Sequence, residues 1–158
     1  MTTAPTAASG STREAVDPAA FCTMSGGELD ALFRRSPAGA VPDGPAEGLF
    51  RVLPGTPASR PAARLFLLFA WQGKRFDART GVLVNHVLPF GVPAVEARLR
   101  PGRSWLDGRP CHVLDYSRTS LIARGVRDEL REVAPGLYLG LVYWHRLRAG
   151  RFALRVRR

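Results

Sequence analysis

Tyr116, His86 and Asp115 are the side chains whose type and surroundings best suit chemistry. His86 lies in the β-branched run 82–88, VLVNHVL, where it alternates with Val82, Val84 and Leu88 on an apolar face. Histidine titrates near neutrality, so an interior His86 is either a hydrogen-bonded core residue or a general base. Tyr116 ends the run Cys111–Tyr116. Inside a cavity its amphipathic phenol binds a carbonyl or carboxylate, or serves as an acid; in a packed core it is a satisfied hydroxyl. Asp115 is adjacent on the same strand and therefore points to the opposite face. An aspartate on an otherwise apolar strand is costly to bury alone, so it calls for a partner, with Arg118, Arg127 or Arg131 the candidates.

A second set of residues could hold a ligand rather than transform it. Asn85 faces away from His86. Trp71, Tyr138, Tyr143 and Trp144 supply large aromatic surface, as core or as ligand wall. If Leu137–Trp144 is a strand, Tyr143 shares a face with Leu137, Leu139 and Leu141, while Tyr138, Val142 and Trp144 share the other. In the RDELR segment, Arg127 and Arg131 share a face at helical spacing. That face is either solvated or an internal Arg–carboxylate cluster, structural or gripping an anionic ligand head. No C-x-x-C, H-E-x-x-H, G-x-G-x-x-G after a strand, Walker loop or G-x-S-x-G occurs. The spacing of His86, His112 and His145 favours no metal site, so neither metal nor cofactor is expected.

These residues need a frame. Residues 1–18 are rich in Thr, Ala, Ser and Pro and read as a disordered tail, leaving 19–158 as a single domain. Ser25 with Glu28 has capping-box spacing, Leu29, Leu32 and Phe33 form a helical stripe, and Pro37 ends it. This helix should lie on the core or plug an opening in it. Residues 37–48 are turn chemistry, and 49–53 is a short strand. The apolar run Leu65–Trp71 fits a buried element, read as a helix over 60–69. Beyond Gly73 the signals are strands: GKRFDA, 82–88, an alternating 94–100, Cys111–Tyr116, 137–144 and 152–156. Turns fall at 78–81, Asp107-Gly108, Pro135-Gly136 and Ala149-Gly150. Within 119–133, Ile122, Val126, Leu130 and Val133 are spaced as on a helix, whereas a strand would place Val126, Asp128, Leu130 and Glu132 on one face. The spacing favours the helix. Together these elements predict an α+β chain: a strongly curved antiparallel sheet or lipocalin-like β-barrel with one to three helices. A barrel of about eight strands encloses one small ligand.

The chain has 158 residues and a formal charge of +10, and all but Lys74 of its 23 basic residues are Arg. The Arg are spread along the chain and concentrate only in the alternating C-terminal segment, so a solvated strand face is expected and a nucleic-acid partner is not. No apolar run is long enough for a membrane span. The N-terminus lacks the basic start and apolar segment of a secretory signal, and Cys22 and Cys111 are too few for a disulfide scaffold. A cytoplasmic location is expected; oligomeric state is left open.

The motifs W-x-GK-x-F-D at 71–77, S-W-x-D-G at 104–108, L-D-Y-S-x-T-S at 114–120, R-D-E-L-R at 127–131 and G-L-Y-L-G at 136–140 resemble those of a bacterial family of unassigned function. More loosely the layout is similar to the calycins, the superfamily of lipocalins and fatty-acid-binding proteins, although the lipocalin G-x-W start is absent. That resemblance implies an apolar cavity for one small hydrophobic molecule. The expected function is therefore binding of a lipid- or polyketide-like molecule inside a barrel. The alternative is a cofactor-independent biosynthetic enzyme of the cyclase, isomerase or lyase type, using the same pocket for acid–base or shape catalysis.

Overall fold

Eight antiparallel strands, each hydrogen-bonded to the next and the last to the first, close into a barrel in a computed structural model that describes residues 18–52, 74–85, 95–117 and 124–157. The strands are β1 (Gly44–Val52), β2 (Lys74–Asp77), β3 (Val82–Asn85), β4 (Val95–Arg103), β5 (Pro110–Asp115), β6 (Val126–Ala134), β7 (Leu137–Trp144) and β8 (Leu147–Val156). A short 3₁₀ helix (Pro18–Cys22) and α1 (Gly26–Arg35) precede them. The expected helix over 60–69 lies outside the described residues, as does the tail up to residue 17. No helix among the described residues is long and apolar enough to cross a membrane.

The period-2 alternation of each strand builds two apolar layers. The inner layer takes side chains from every strand around the barrel: Ala46, Phe76, Leu83, Ala97, Leu114, Leu130 and Val142, with Phe152, Leu154 and Val156 closing the circuit. Among the described residues, the outer layer covers one wall. Leu29, Leu32 and Phe33 of α1 pack over Cys111, Val113, Leu139, Leu141 and Ala153. Burying each of those three helical side chains stabilises the fold by roughly 2 kcal/mol. The start of α1 is fixed as expected: Ser25 Oγ accepts from the Glu28 amide at 3.3 Å and Glu28 returns a carboxylate to the Ser25 amide. Asp30 ties the helix to β8 through Arg148 and Arg151. Arg151, expected on a wet face, is therefore buried, while Arg155 and Arg157 remain exposed.

Three expectations are corrected. Residues 126–134 form the strand β6 and not a helix. The alternation of Val126, Asp128, Leu130 and Glu132 is the real signal. Both faces of this strand carry charge, and the fold gives partners to both. The final turn is at His145 and Arg146, both left-handed (φ 46° and 68°), not at Ala149-Gly150. Ala149 and Gly150 instead lie inside β8 at a bulge, where the register shifts opposite Val142 and Tyr143. Finally, β1 begins at Gly44, within a stretch read as turns throughout.

Residues 37–43 form a strap across one end of the barrel. Ala38 O accepts the Glu132 amide at 3.2 Å, Glu132 Oε2 accepts the Ala40 amide at 2.9 Å, and Tyr138 Oη donates to Ala40 O at 2.9 Å. His112 Nε2 lies 3.2 Å from Gly39 O. Gly39 is obligatory there: its φ is +75°, and a Cβ would stand 2.1 Å from Glu132 Cβ. At the opposite rim the up-and-down topology gathers the chain ends at Val52 and Lys74, Asn85 and Val95, and Ser117 and Arg124.

Candidate functional site

Inside the barrel, towards the rim opposite the strap, Tyr116 Oη donates to Asp128 Oδ2 at 3.0 Å. Both side chains are buried. Tyr116 follows directly on β5 and inherits the inward face of Leu114; Asp128 sits two residues before Leu130 on β6. Val142, Phe152 and the half-buried Val126 and Trp144 belong to the same inner cluster. Cross-strand partners Asp128–Val142 and Val126–Trp144 set the carboxylate between apolar neighbours. Burial, and then the negative charge of Asp128, push the Tyr116 phenol well above its ordinary range. At neutral pH it is therefore a neutral donor held against the Asp128 side chain.

Asp115 takes the opposite direction, as two adjacent strand residues must. It is half-exposed on the outer wall, accepts from the Ser117 amide at 3.0 Å and lies 3.5 Å from Arg100 Nη2. The Ser117 hydrogen bonds outweigh partial burial and hold its carboxyl below the usual range. Neither Arg127 nor Arg131 is its ion-pair partner, and Arg118 lies outside the described residues. The inward acid beside Tyr116 is thus Asp128, twelve residues on, and not Asp115.

The two arginines nominated for a ligand head also face outward and are engaged. Arg131, wholly buried, forks onto Asp107 with two bonds of 2.7 Å. It also donates to Pro110 O and Phe33 O and lies over the Phe33 ring. Arg127 pairs with Glu129 at 2.9 Å and donates to Arg103 O. Glu129 further accepts from Ser104 Oγ at 2.5 Å and from the Trp105 amide at 2.8 Å. The 104–109 loop is thereby clamped over β5 and β6, and Arg127, Glu129 and Arg131 are structural, whereas Asp128 of the same segment faces inward.

The aromatic candidates divide between the layers. Tyr138 and Trp144 are in the inner cluster at opposite ends, with Tyr138 spanning to the strap. Tyr143 is on the outer wall, edge-on to Trp105 at 5.2 Å, and burial pushes its phenol up to about 12. Asn85 ends β3, its Cα paired with those of Lys74 and Val95; its side chain lies outside the described residues, as do Trp71 and His86. His112 at the strap and His145 in the last turn are at different ends. Among the described residues no three His, Cys, Asp or Glu cluster as metal ligands.

No family model matches the chain, and no curated protein matches it. Among solved structures it is similar to a protein from Thermomonospora curvata, with a TM-score of 0.53 and 19% identity over 85% of this chain and 89% of that chain. At that identity the likeness concerns the fold alone.

Proposed function

We propose that the barrel holds one small, mostly apolar molecule at the end carrying Tyr116, Val126 and Trp144. The observation that carries this reading is the Tyr116–Asp128 hydrogen bond, a polar pair placed within an apolar interior. Interior polar groups at the mouth of a small barrel fix the orientation of a ligand whose affinity comes from apolar contact. The middle of the barrel is filled by Phe76, Leu83, Leu114, Leu130 and Leu154, and the far end is closed by the strap. Among the described residues, the rim beside Tyr116 is the end at which this reading places the ligand, with half-buried Val126 and Trp144 as its apolar wall. The loose sequence resemblance to calycins is consistent with this role.

A second reading uses the same pair for catalysis. If a ligand carbonyl takes the phenolic hydrogen bond in place of Asp128, the freed Asp128 side chain can accept a proton from the carbon beside that carbonyl, the opening step of a cofactor-free isomerase, cyclase or lyase. His86 and Asn85 remain candidates to assist it.

Native mass spectrometry of protein purified from its own host tests the binding reading. A co-purifying molecule that is retained by wild type and lost from both Tyr116→Phe and Trp144→Ala supports it. An apo mass, together with no apolar probe whose affinity responds to these substitutions, refutes it. Once a ligand is known, turnover lost with binding kept in Asp128→Asn selects the enzyme, whereas no turnover in wild type selects the carrier.

A further inference from the structure

We propose that the β7–β8 hairpin tip and the neighbouring Trp105 form a docking surface for an anionic lipid bilayer. Among the described residues the exposed large hydrophobics are Val41 (50%), Trp105 (42%) and Leu147 (59%). The last two flank one arginine. Arg146 precedes Leu147 in the chain, and its guanidinium carbon lies 5.0 Å from the centre of the Trp105 ring. Arg127 stands 4.4 Å from the same ring, and Tyr143 supports it edge-on. The tip thus presents Leu147, on the face of its ladder partner Trp144, and Arg146, whose guanidinium reaches the Trp105 ring on the outer wall.

The hairpin holds this tip at a conformational cost. His145 and Arg146 both occupy the left-handed region, where a two-residue turn favours Asn-Gly. The cost is roughly 1–2 kcal/mol per residue. The turn is kept by the His145 amide donating to Gly125 O at 2.9 Å, and Gly125 has no Cβ to collide with the His145 ring. A basic, apolar tip is thus present where a more stable turn was available.

Charge complementarity points to an anionic partner. The acids on this wall are already matched: Glu129 by Arg127, Asp107 by Arg131, and Asp30 by Arg148 and Arg151. Arg124 and Arg146 are exposed and carry no acid partner among the described ion pairs, and the chain as a whole carries +10. The size of the patch points to a bilayer. A stable protein interface buries about 800 Å² per partner, more than these few side chains supply. A bilayer interface needs no complementary pocket: indole settles among headgroups, leucine beneath them, and arginine reaches phosphate. This surface stands whatever the barrel interior holds.

Flotation with phosphatidylcholine vesicles, with and without phosphatidylglycerol, tests the proposal. The full chain is expected to float with phosphatidylglycerol vesicles alone and to release as salt rises. Arg146→Gln should weaken binding about fivefold, the value of one basic residue near an anionic surface. Leu147→Ser should weaken it by about tenfold. Val41→Ser and Arg155→Gln, exposed elsewhere, should leave it unchanged, and all four should unfold at the parental midpoint. No flotation at low salt, or equal losses from Arg155→Gln and Arg146→Gln, overturns it. So does a saturable complex with an acidic polypeptide when vesicles are not bound.

Discussion

Arg131 and Asp107 form a two-pronged ion pair, Nη1 to Oδ2 and Nη2 to Oδ1, both at 2.7 Å, across 24 residues of sequence. With its further bonds to Phe33 O and Pro110 O, the guanidinium joins α1, the 104–109 loop and β5 at one buried point. Its donors are spent on structure, so this residue sets the frame of the barrel wall rather than the chemistry inside it.

Arg131→Met should lower the free energy of unfolding by about 3–5 kcal/mol, because it strands Asp107 and two carbonyls. Arg131→Lys should recover only part of that loss, since an ammonium cannot fork. Urea titrations measure both. Asp107→Ala combined with Arg131→Met should cost less than the two single losses added together. Strict additivity would mean that the pair is not coupled.

The same pair sets a pH dependence. The hydrogen bond from Arg131 holds the Asp107 carboxyl below its usual range, against the opposing effect of burial. A depressed folded value means that this stability is fully present above the unfolded value of about 3.9 and is lost as pH falls through the folded one. Stability measured from neutral pH downwards should therefore fall less steeply below about pH 4 in Asp107→Asn than in wild type. Parallel curves would assign the acid sensitivity to other carboxylates.

The strap makes its own prediction. Gly39→Ala forces a Cβ against Glu132 at a left-handed position and should destabilise the chain by roughly 1–3 kcal/mol. Hydrogen exchange should quicken at the Ala40 amide, which Glu132 now holds. Unchanged protection would show that the strap tolerates the substitution and that the end of the barrel is held by other contacts.

Thiol chemistry reports on α1. Cys111 is buried under the helix, and desolvation pushes its thiol up to about 12, whereas Cys22 is exposed. Iodoacetamide near neutral pH should add one label to the native chain, at Cys22, and a second only on unfolding. Rapid native labelling of Cys111 would mean that α1 leaves the wall readily.

Local periodicity determined a good part of this protein. The capped helix at 26–35, the alternation of β4, the span of β7 and the opposite directions of Asp115 and Tyr116 were all legible, because each depends on neighbours within a few residues. So was the barrel, because short strands with tight turns leave few other ways to bury their inner faces. What only the tertiary structure decided was how the charges of β6 are satisfied. Asp128 meets Tyr116 across 12 residues, Glu129 meets Ser104 across 25, and Arg131 meets Phe33 across 98. A strand with charge on both faces looks unfavourable in isolation, since the cost of burying each group depends on a partner that spacing does not reveal. Strand or helix for 126–134, and inward Asp128 rather than Asp115 beside Tyr116, were therefore settled by distant contacts.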